Sequence, residues 1–285
     1  MLTKIVEYLK KLKEDPYWSI RLLISRILLM TGLSTLFTIK LGAMKLKFFP
    51  TKFSADLWFP SKDIFEDYSL PFLKEGDTVI DVGANIGVTV LLFKKYIGAS
   101  GKIYAFEPDP KVFGYLQSNI EMNKLENIHL FNCALGEGRK KVYLQMHEKA
   151  DTGNAITLNK EDGLMVDMDC LDDVANEHRI DAVRLLKIDT EGYEKYVLLG
   201  GRALLSRTDV VIFEAILENC ERFGYHLQEV VEFLEHLKFQ VYCFNTDAVS
   251  FEEVNIEHYI SNSGMYLYDL FAVKDPSLIK GVQWS

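Results

Sequence analysis

Hydrophobic and polar positions between residues 77 and 273 follow two alternating periods. Short runs of β-branched and other apolar residues, typical of buried strands, recur between stretches with the three- and four-residue spacing of helices. The runs predict strands at 78–82, 102–106, 128–133, 183–188, 209–214, 239–244 and 266–273. The helical spacing predicts helices near 86–97, 110–122, 193–205 and 226–237. Regular alternation of strand and helix predicts an α/β fold with a mostly parallel, doubly wound sheet.

Three stretches depart from this alternation. The connection before 266–273 is too short and polar for another crossover helix, so we expect this last strand to enter the sheet antiparallel. Period-2 patterns at 141–145 and 165–169 predict an inserted hairpin, and a similar pattern within 36–59 predicts a small hairpin before the sheet. We therefore divide the chain into an N-terminal helical and hairpin extension, 1–70, and a catalytic domain, 71–285.

The N-terminal extension differs in charge from the rest of the chain. Residues 1–50 hold nine Lys or Arg and three acidic residues, a balance of +6 within a total of −9, which leaves −15 elsewhere. Residues 1–15 have the pattern of a basic amphipathic helix. The longest uncharged run, 27–39, has 13 residues and is shorter than the ~20 of a spanning helix. Two interpretations stay open: peripheral contact with an anionic membrane surface, or packing against the catalytic domain or a second copy.

Composition excludes some classes of protein. A net charge of −9 and a pI near 5.3 argue against general nucleic-acid binding. The four cysteines form no C-x-x-C pair, and no histidine pair has metal-ligand spacing, so we predict neither a disulfide framework nor a zinc site. These features are typical of a reduced, cytoplasmic protein, with a peripheral position at the inner face of the membrane left open.

The stretch 77–87 combines a strand, a tight turn and the start of a helix. The apolar run 78–82 is followed by a turn that carries Gly83 and Gly87. Such a turn presents backbone N–H groups at a helix N-terminus to the polar part of a ligand. We therefore expect a nucleotide-like cofactor here, the alternative being a purely structural turn.

Two side chains of this stretch indicate which cofactor to expect. Asn85 occupies a position where a dinucleotide-binding loop requires glycine for the close approach of a pyrophosphate. Asp81 ends the strand, and its charge would repel a phosphate and attract a cation. S-adenosylmethionine carries an ammonium and a sulfonium. We predict it as the cofactor, with Asp81, Gly83, Asn85 and Gly87 as binding residues.

The next two strands end in further candidate cofactor contacts. Glu107 follows the strand 102–106, and a carboxylate at that position can accept both ribose hydroxyls of a nucleoside. Cys133 and Ala134 end the third strand, and these small residues leave room for a flat adenine ring. All three are predicted to bind the cofactor.

Carboxylates follow the fourth and fifth strands, at Asp189, Glu191 and Glu214. In a sheet of order 3-2-1-4-5 the ligand crevice opens between strands 1 and 4, so Asp189 and Glu191 should face the glycine turn. Carboxylates there can hold an ammonium, deprotonate a hydroxyl or bind Mg²⁺. We predict all three as catalytic and Asp189 also as a cofactor contact. No metal ligand is assigned, and Mg²⁺ is left open.

Three other polar residues are weaker candidates. Lys187 lies in an otherwise apolar strand and needs a partner, either Asp189 or an acceptor oxygen. Asn154 and His226 lie on loops that flank the expected crevice. An alternative role for the carboxylates after the fourth strand is to complement the dipole of the following helix.

Four motifs in this order resemble the FkbM family of S-adenosylmethionine-dependent methyltransferases. They occupy 81–87, 106–108, 134–136 and 186–194, with 198–200 closing the last one, and the resemblance covers roughly 77–245. It implies a seven-stranded Rossmann-like methyltransferase that modifies oxygen atoms of sugars, polyketides or cell-surface glycans. It also implies that the first motif and Glu107 bind the methionine and ribose of the cofactor. Thr190 stands where many relatives have valine.

The sequence therefore predicts O-methylation of a sugar, a glycan or another secondary-metabolite hydroxyl. A nicotinamide-dependent oxidoreductase is one alternative, although Asn85 and Asp81 weigh against it. A catalytically inactive, membrane-peripheral binding protein is another. Nucleic acid is not expected as a partner, and a homo-oligomer is left open.

Overall fold

A computed structural model of the 285-residue chain gives the architecture. It describes residues 24, 27, 31, 36–41, 43–47, 49, 69–145, 155–157, 163–245, 248–261 and 266–280. The predicted amphipathic helix at 1–15 and the candidate residue Asn154 lie outside the described residues.

The described strands and helices are numbered here in chain order. The strands are β1 (Thr38–Leu41), β2 (Met44–Lys47), β3 (Thr78–Val82), β4 (Lys102–Phe106), β5 (Ile128–Phe131), β6 (Ala134–Leu135), β7 (Lys140–Gln145), β8 (Ala155–Thr157), β9 (Gly163–Asp169), β10 (Val183–Ile188), β11 (Thr208–Glu214), β12 (Gln240–Asn245), β13 (Ser250–Glu253) and β14 (Tyr266–Val273). The helices are α1 (Val88–Ile97), α2 (Pro110–Met122), α3 (Leu171–Glu177), α4 (Glu194–Leu199), α5 (Arg202–Leu205), α6 (Leu217–Arg222), α7 (Leu227–His236), α8 (Ile256–Ser261) and α9 (Ser277–Lys280).

A central sheet has the order β13-β12-β14-β11-β10-β3-β4-β5. The pairs from β11 to β5 are parallel, and β14 runs antiparallel to both β11 and β12. The predicted α/β fold, the order 3-2-1-4-5 and the antiparallel last strand are confirmed. An additional antiparallel strand, β13, extends the edge beyond the seven that were predicted.

Alternate side chains of the central strands enter two apolar clusters on opposite faces of the sheet. Ile80 and Leu186 belong to one cluster, whereas Val79 and Leu185 belong to the other. Burial on both faces explains why these strands are continuously apolar in sequence. The carboxyl ends of the parallel strands meet at one edge, where this fold class forms its ligand crevice.

Some predicted boundaries were wrong. The predicted helix 193–205 is two helices, α4 and α5, separated by Gly200 and Gly201, and a Cβ at Gly200 would lie 1.9 Å from the carbonyl oxygen of Gly136. The third strand ends at Phe131 instead of 133. The segment 245–265, predicted as a loop, contains β13 and the short helix α8. Helices of four to seven residues such as α8 hold too few turns to give a periodic signal.

The predicted inserted hairpin is confirmed as part of a second sheet. Strands β7 and β9 pair antiparallel, with Lys140 opposite Met168 and Gln145 opposite Gly163. The strands β6 and β8 complete a sheet of order β6-β9-β7-β8. This sheet lies beside the crevice edge of the central sheet, because β6 follows β5 after two residues.

The predicted N-terminal hairpin is formed by β1 and β2 and is attached to α2 by two asparagines. Asn123 accepts from the backbone N–H of Lys45 at 2.8 Å and donates to its carbonyl at 2.6 Å. Asn119, fully buried, accepts from the N–H of Lys47 and donates to the carbonyl of Ile86, both at 2.8 Å. Asn119 therefore joins the hairpin to the glycine turn. The division of the chain at residue 70 stays a prediction.

Among the residues that the structure describes, no helix combines the length and the apolar character needed to cross a lipid bilayer.

Replacing Asn119 by Ala should lower the free energy of unfolding by about 2–4 kcal/mol, because the half-buried N–H of Lys47 and the buried carbonyl of Ile86 would both lose their partner. Urea denaturation measures this loss. The control is Gln117→Ala on the exposed face of α2, which should change stability by less than about 0.5 kcal/mol. Equal effects of the two substitutions would contradict the bridging role of Asn119.

Candidate functional site

A cavity of about 320 Å³ opens at the carboxyl ends of β3, β4, β10 and β11. Its walls include the glycine turn, the carboxylates that follow three strands, and apolar residues of the second sheet. The lining residues are Val82, Gly83, Ala84, Asn85, Val88, Thr89, Phe106, Glu107, Pro108, Val112, Cys133, Ala134, Leu135, Leu144, Ile156, Lys187, Asp189, Thr190, Glu191 and Glu214. The predicted site residues Asp81 and Gly87 lie behind this surface.

The turn after β3 is built around glycine and is pressed against the end of β10. Gly83 has φ +84° and Asn85 has φ +49°, both in the left-handed region. A Cβ on Gly83 would lie 1.9 Å from the carbonyl oxygen of Asp189, so only glycine fits. The N–H of Asp189 in turn donates to the carbonyl of Val82 at 2.9 Å. Backbone contact therefore fixes the distance between the turn and the carboxylates of β10.

Glu107 braces the turn from the neighbouring strand. Its carboxylate accepts from the N–H of Asn85 at 2.9 Å and from the N–H of Asp109 at 3.0 Å. Burial raises the pKa of Glu107 to about 7, and these two hydrogen bonds oppose the rise only in part. Near neutral pH this carboxyl is therefore divided between its protonated and ionised forms.

Asp81 is fully buried within β3. Its carboxylate accepts a hydrogen bond from the hydroxyl of Thr89 on α1 at 2.5 Å. The strand register places Asp81 directly beside Lys187 on β10. Asp81 therefore contributes negative charge beneath the cavity wall.

Lys187 and Asp189 form an ion pair. Asp189 was one of the two partners considered for Lys187 from the sequence. The Nζ of Lys187 lies 2.8 Å from Oδ2 of Asp189. Burial alone would lower the pKa of Lys187, but the charges of Asp189, Asp81 and Asp269 outweigh it, so the pKa is raised and the ammonium stays charged. The pair orients the Asp189 carboxylate, whose side chain is 42% exposed, at the cavity wall.

Glu191 and Glu214 complete the acidic end of the cavity. One oxygen each of Asp189, Glu191 and Glu214 lies within 4.8 Å of the others, as the sequence predicted. Burial, followed by the charges of Asp189 and Glu191, raises the pKa of Glu214 to about 9. Glu214 therefore carries a proton at neutral pH. Three carboxylate oxygens at this spacing can hold a cation, and Mg²⁺ is left open, as it was from the sequence.

Glu194, which sequence reasoning did not single out as a site residue, shapes the segment that carries Glu191. Its side chain is 1% exposed, and its Oε1 accepts from the N–H and hydroxyl of Thr190, both at 2.9 Å, and from the N–H of Gly192 at 3.1 Å. The hydroxyl of Tyr225 donates to Gly192 at 3.0 Å. These contacts hold Glu191 at φ +55°. The sequence signal that could have identified Glu194 is an acidic residue two positions after Gly192.

The opposite end of the cavity is apolar. Cys133 and Ala134, predicted beside adenine, line it together with Leu144 of β7 and Ile156 of β8. Burial raises the pKa of Cys133 to about 12, so its thiol is neutral. Sequence analysis placed the inserted hairpin, 139–170, at the mouth of the crevice but did not identify Leu144 and Ile156, since the pairing of this sheet depends on long-range contacts.

His226 is placed elsewhere. It precedes α7, where its N–H donates to Oε1 of Glu229 at 2.8 Å, and it is not among the residues that line the cavity.

Removal of the Glu194 acceptor should disturb the 190–194 segment. We expect Glu194→Ala to lower the free energy of unfolding by about 2–3 kcal/mol, because three donors lose their shared oxygen. Glu194→Gln keeps an oxygen in the same place and should lose less than half as much. Urea unfolding of both variants measures the difference; identical losses would show that the charge, and not the acceptor geometry, matters.

Comparison with known proteins places these features in a family. The sequence model described as "Methyltransferase FkbM domain" matches residues 81–241. The chain is 30% identical over 167 residues to Methyltransferase 1 of Beauveria bassiana, covering 50% of this chain and 66% of that protein. It is 23% identical over 160 residues to the 2-O-methyltransferase NoeI of Sinorhizobium fredii, covering 50% of this chain and 64% of that protein. The match thus spans slightly less than two thirds of these relatives.

Solved structures give more distant similarities. One is the S-adenosylmethionine-dependent O-methyltransferase of Thermotoga maritima, with 18% identity, a TM-score of 0.40, and coverage of 76% of this chain and 65% of that one. Another is Aeropyrum pernix fibrillarin in complex with S-adenosyl-L-methionine, with 14% identity, a TM-score of 0.39, and coverage of 71% and 68%. The assignment rests on the family match, which covers more than half of the chain and contains the glycine turn, Glu107 and the acidic end of the cavity. The chain therefore belongs to the methyltransferase FkbM domain family.

Proposed function

We propose that this protein transfers a methyl group from S-adenosylmethionine to a hydroxyl of a small-molecule acceptor, a sugar, glycan or other secondary metabolite. The observation that carries the proposal is that one cavity is lined by the glycine turn, by the Glu107 carboxylate and by the acidic cluster. The chain that forms this cavity belongs to a methyltransferase family. The 2-O-methyltransferase name of one relative supports oxygen as the acceptor atom.

The residues present fit this cofactor. Gly83 lets the turn lie directly against Asp189 with no side chain between them, and Glu107 offers a buried carboxylate for ribose hydroxyls. The apolar end at Cys133, Ala134 and Ile156 suits a flat ring. Asp189 and its neighbouring carboxylates suit the ammonium. When bound, S-adenosylmethionine supplies a methyl group already activated by a sulfonium.

Alignment is the main contribution that the chain can make to such a transfer. The glycine turn and β10 are locked together through Val82, Gly83 and Asp189, so groups bound to each would be held at a fixed separation. Near-attack geometry of this kind can lower a barrier by ~7–11 kcal/mol. Proton removal from the acceptor adds a smaller share, ~10²–10⁴-fold in rate.

Asp189, Glu191 and Glu214 are proposed as the catalytic carboxylates. Asp189 is held at the cavity wall by its ion pair with Lys187, at 2.8 Å. Glu214 starts protonated at neutral pH because its pKa is about 9. A cation bound beside it would favour ionisation and so make this carboxylate available as a proton acceptor.

The other functions considered from sequence receive less support. A nicotinamide cofactor would need close approach of a pyrophosphate where Asn85 stands, and the family match does not favour it. A catalytically inactive binding protein would not need the acidic cluster beside the glycine turn.

Cofactor binding should show a pH dependence that originates at Glu107. Because its pKa of about 7 exceeds the ordinary value, the Glu107 carboxyl is mostly protonated below that pH, whereas ribose hydroxyls donate to the ionised form. We therefore expect calorimetric titration of S-adenosylhomocysteine to show binding that becomes tighter as the pH rises from about 6 to about 8. Binding should be accompanied by the release of protons.

The matched variant is Glu107→Gln, which keeps the shape and removes the titration. It should bind more weakly and lose the increase of affinity with pH relative to the unchanged protein. The same pH dependence in both proteins would contradict the role of Glu107, and no binding by either folded protein would contradict the cofactor itself.

Conservative substitutions in the acidic cluster should show which of its carboxylates acts as the base. Asp189→Asn, Glu191→Gln and Glu214→Gln conserve shape, and the variant that lacks the base should lose ~10²–10⁴-fold in kcat, whereas Asp189→Asn should also weaken cofactor binding. An acceptor screen that begins with glycans and glycolipids, each with and without Mg²⁺, supplies the assay. Native rates for both Asp189→Ala and Glu191→Ala would refute the proposed chemistry.

A further inference from the structure

The hairpin β1–β2 has one face buried and one face that is basic. Ile39 and Leu46, directly opposite each other, are 8% and 2% exposed and belong to the core cluster. The other face carries Lys40 opposite Lys45, and Lys47 opposite Thr38. Like charges directly opposite on adjacent strands repel, so this arrangement costs stability without an anionic partner.

No carboxylate of the described residues forms an ion pair with these three lysines. The sequence shows the same imbalance over a longer range, since residues 1–50 carry +6 and the remaining chain −15. The cations are therefore concentrated in one part of an otherwise acidic sequence. An anionic surface would attract this part and repel the rest, which fixes an orientation.

Large exposed apolar side chains precede the basic face in the chain. Leu36 and Phe37, immediately before β1, are 76% and 49% exposed. Ile24 and Ile27 are 40% and 49% exposed, and the hydroxyl of Thr31 donates to the carbonyl of Ile27 as in a helical turn. Lysine beside exposed aromatic and aliphatic side chains is the composition of segments that lie at a bilayer surface.

The basic face is held in a fixed position. Asn119 and Asn123 bond the edge of β2 to α2, and the ring of Phe49 stacks on Tyr115 of the same helix with centroids 4.0 Å apart. The lysines thus project from a rigid platform attached to the catalytic sheet.

We propose that the face formed by Lys40, Lys45 and Lys47, together with Leu36 and Phe37, binds an anionic phospholipid bilayer. Charge complementarity selects the anionic surface, and the exposed apolar side chains select a lipid interface over a dissolved polyanion, which offers them no apolar phase. This inference is independent of the methyltransferase chemistry proposed above.

The test is flotation of the full-length protein with vesicles of phosphatidylcholine alone and of phosphatidylcholine mixed with phosphatidylglycerol. We expect binding only to the mixed vesicles, and its loss when the Debye length falls from about 10 Å at 0.1 M salt to about 3 Å at 1 M. The combined variant Lys40→Gln, Lys45→Gln, Lys47→Gln should partition about 10- to 100-fold more weakly. Leu36→Ser with Phe37→Ser should weaken binding about tenfold.

The matched control removes three exposed lysines from other surfaces, by Lys102→Gln, Lys238→Gln and Lys280→Gln. It should bind as the unchanged protein does. Absence of binding, equal binding to both kinds of vesicle, or equal weakening in the control would overturn the proposal. So would sedimentation that shows the hairpin variant converting a dimer to a monomer, since a second copy would then be the occupant. Circular dichroism shows whether each variant is folded.

Discussion

The direct backbone contact between the turn after β3 and the end of β10 is the constraint on which the site depends. Gly83 has no room for a side chain, because the carbonyl of Asp189 occupies that space, and the N–H of Asp189 closes the contact by donating to Val82. Two strands that are far apart in sequence are thereby held at backbone distance. The cavity owes its shape to this approach, since a glycine turn forms one wall and the Asp189 segment another.

Electrostatics follow from the same arrangement. Asp81, Asp189, Glu191 and Glu214 lie around or beneath one end of the cavity, and Lys187 is the cation paired among them. The repulsion between these carboxylates, and the cost of burying their charges, are reduced partly by this lysine and partly by the proton on Glu214. Such a site favours a cationic ligand. The positive charge of the ligand would take the place of the proton on Glu214 and would offset part of the cost of desolvating the carboxylates.

Much of this could be predicted from sequence where the signal was local. Apolar runs identified β3, β4, β10 and β14, and the glycine spacing located the turn. Polar residues just beyond strand ends, such as Glu107 and Asp189, could be placed at one edge because parallel strands share their direction. Glu194 was missed because its donors are brought together by the left-handed backbone of Glu191, which an acidic residue two positions after Gly192 does not by itself indicate. The lining by Leu144 and Ile156 was missed because it depends on how a separate sheet packs. The break between α4 and α5 could have been read from the Gly200–Gly201 pair.

Asn119 has a consequence for any shortened form of this protein. The same amide group accepts from Lys47 and donates to Ile86, so the hairpin and the glycine turn hold one side chain between them. A truncation at residue 70 would remove Ile39, Leu46 and Phe49 from the core and leave that amide free to rotate away from the turn. The hairpin before the catalytic sheet therefore supports the cavity. Removing it would make the glycine turn less rigid, although no residue of the cavity wall itself would be lost.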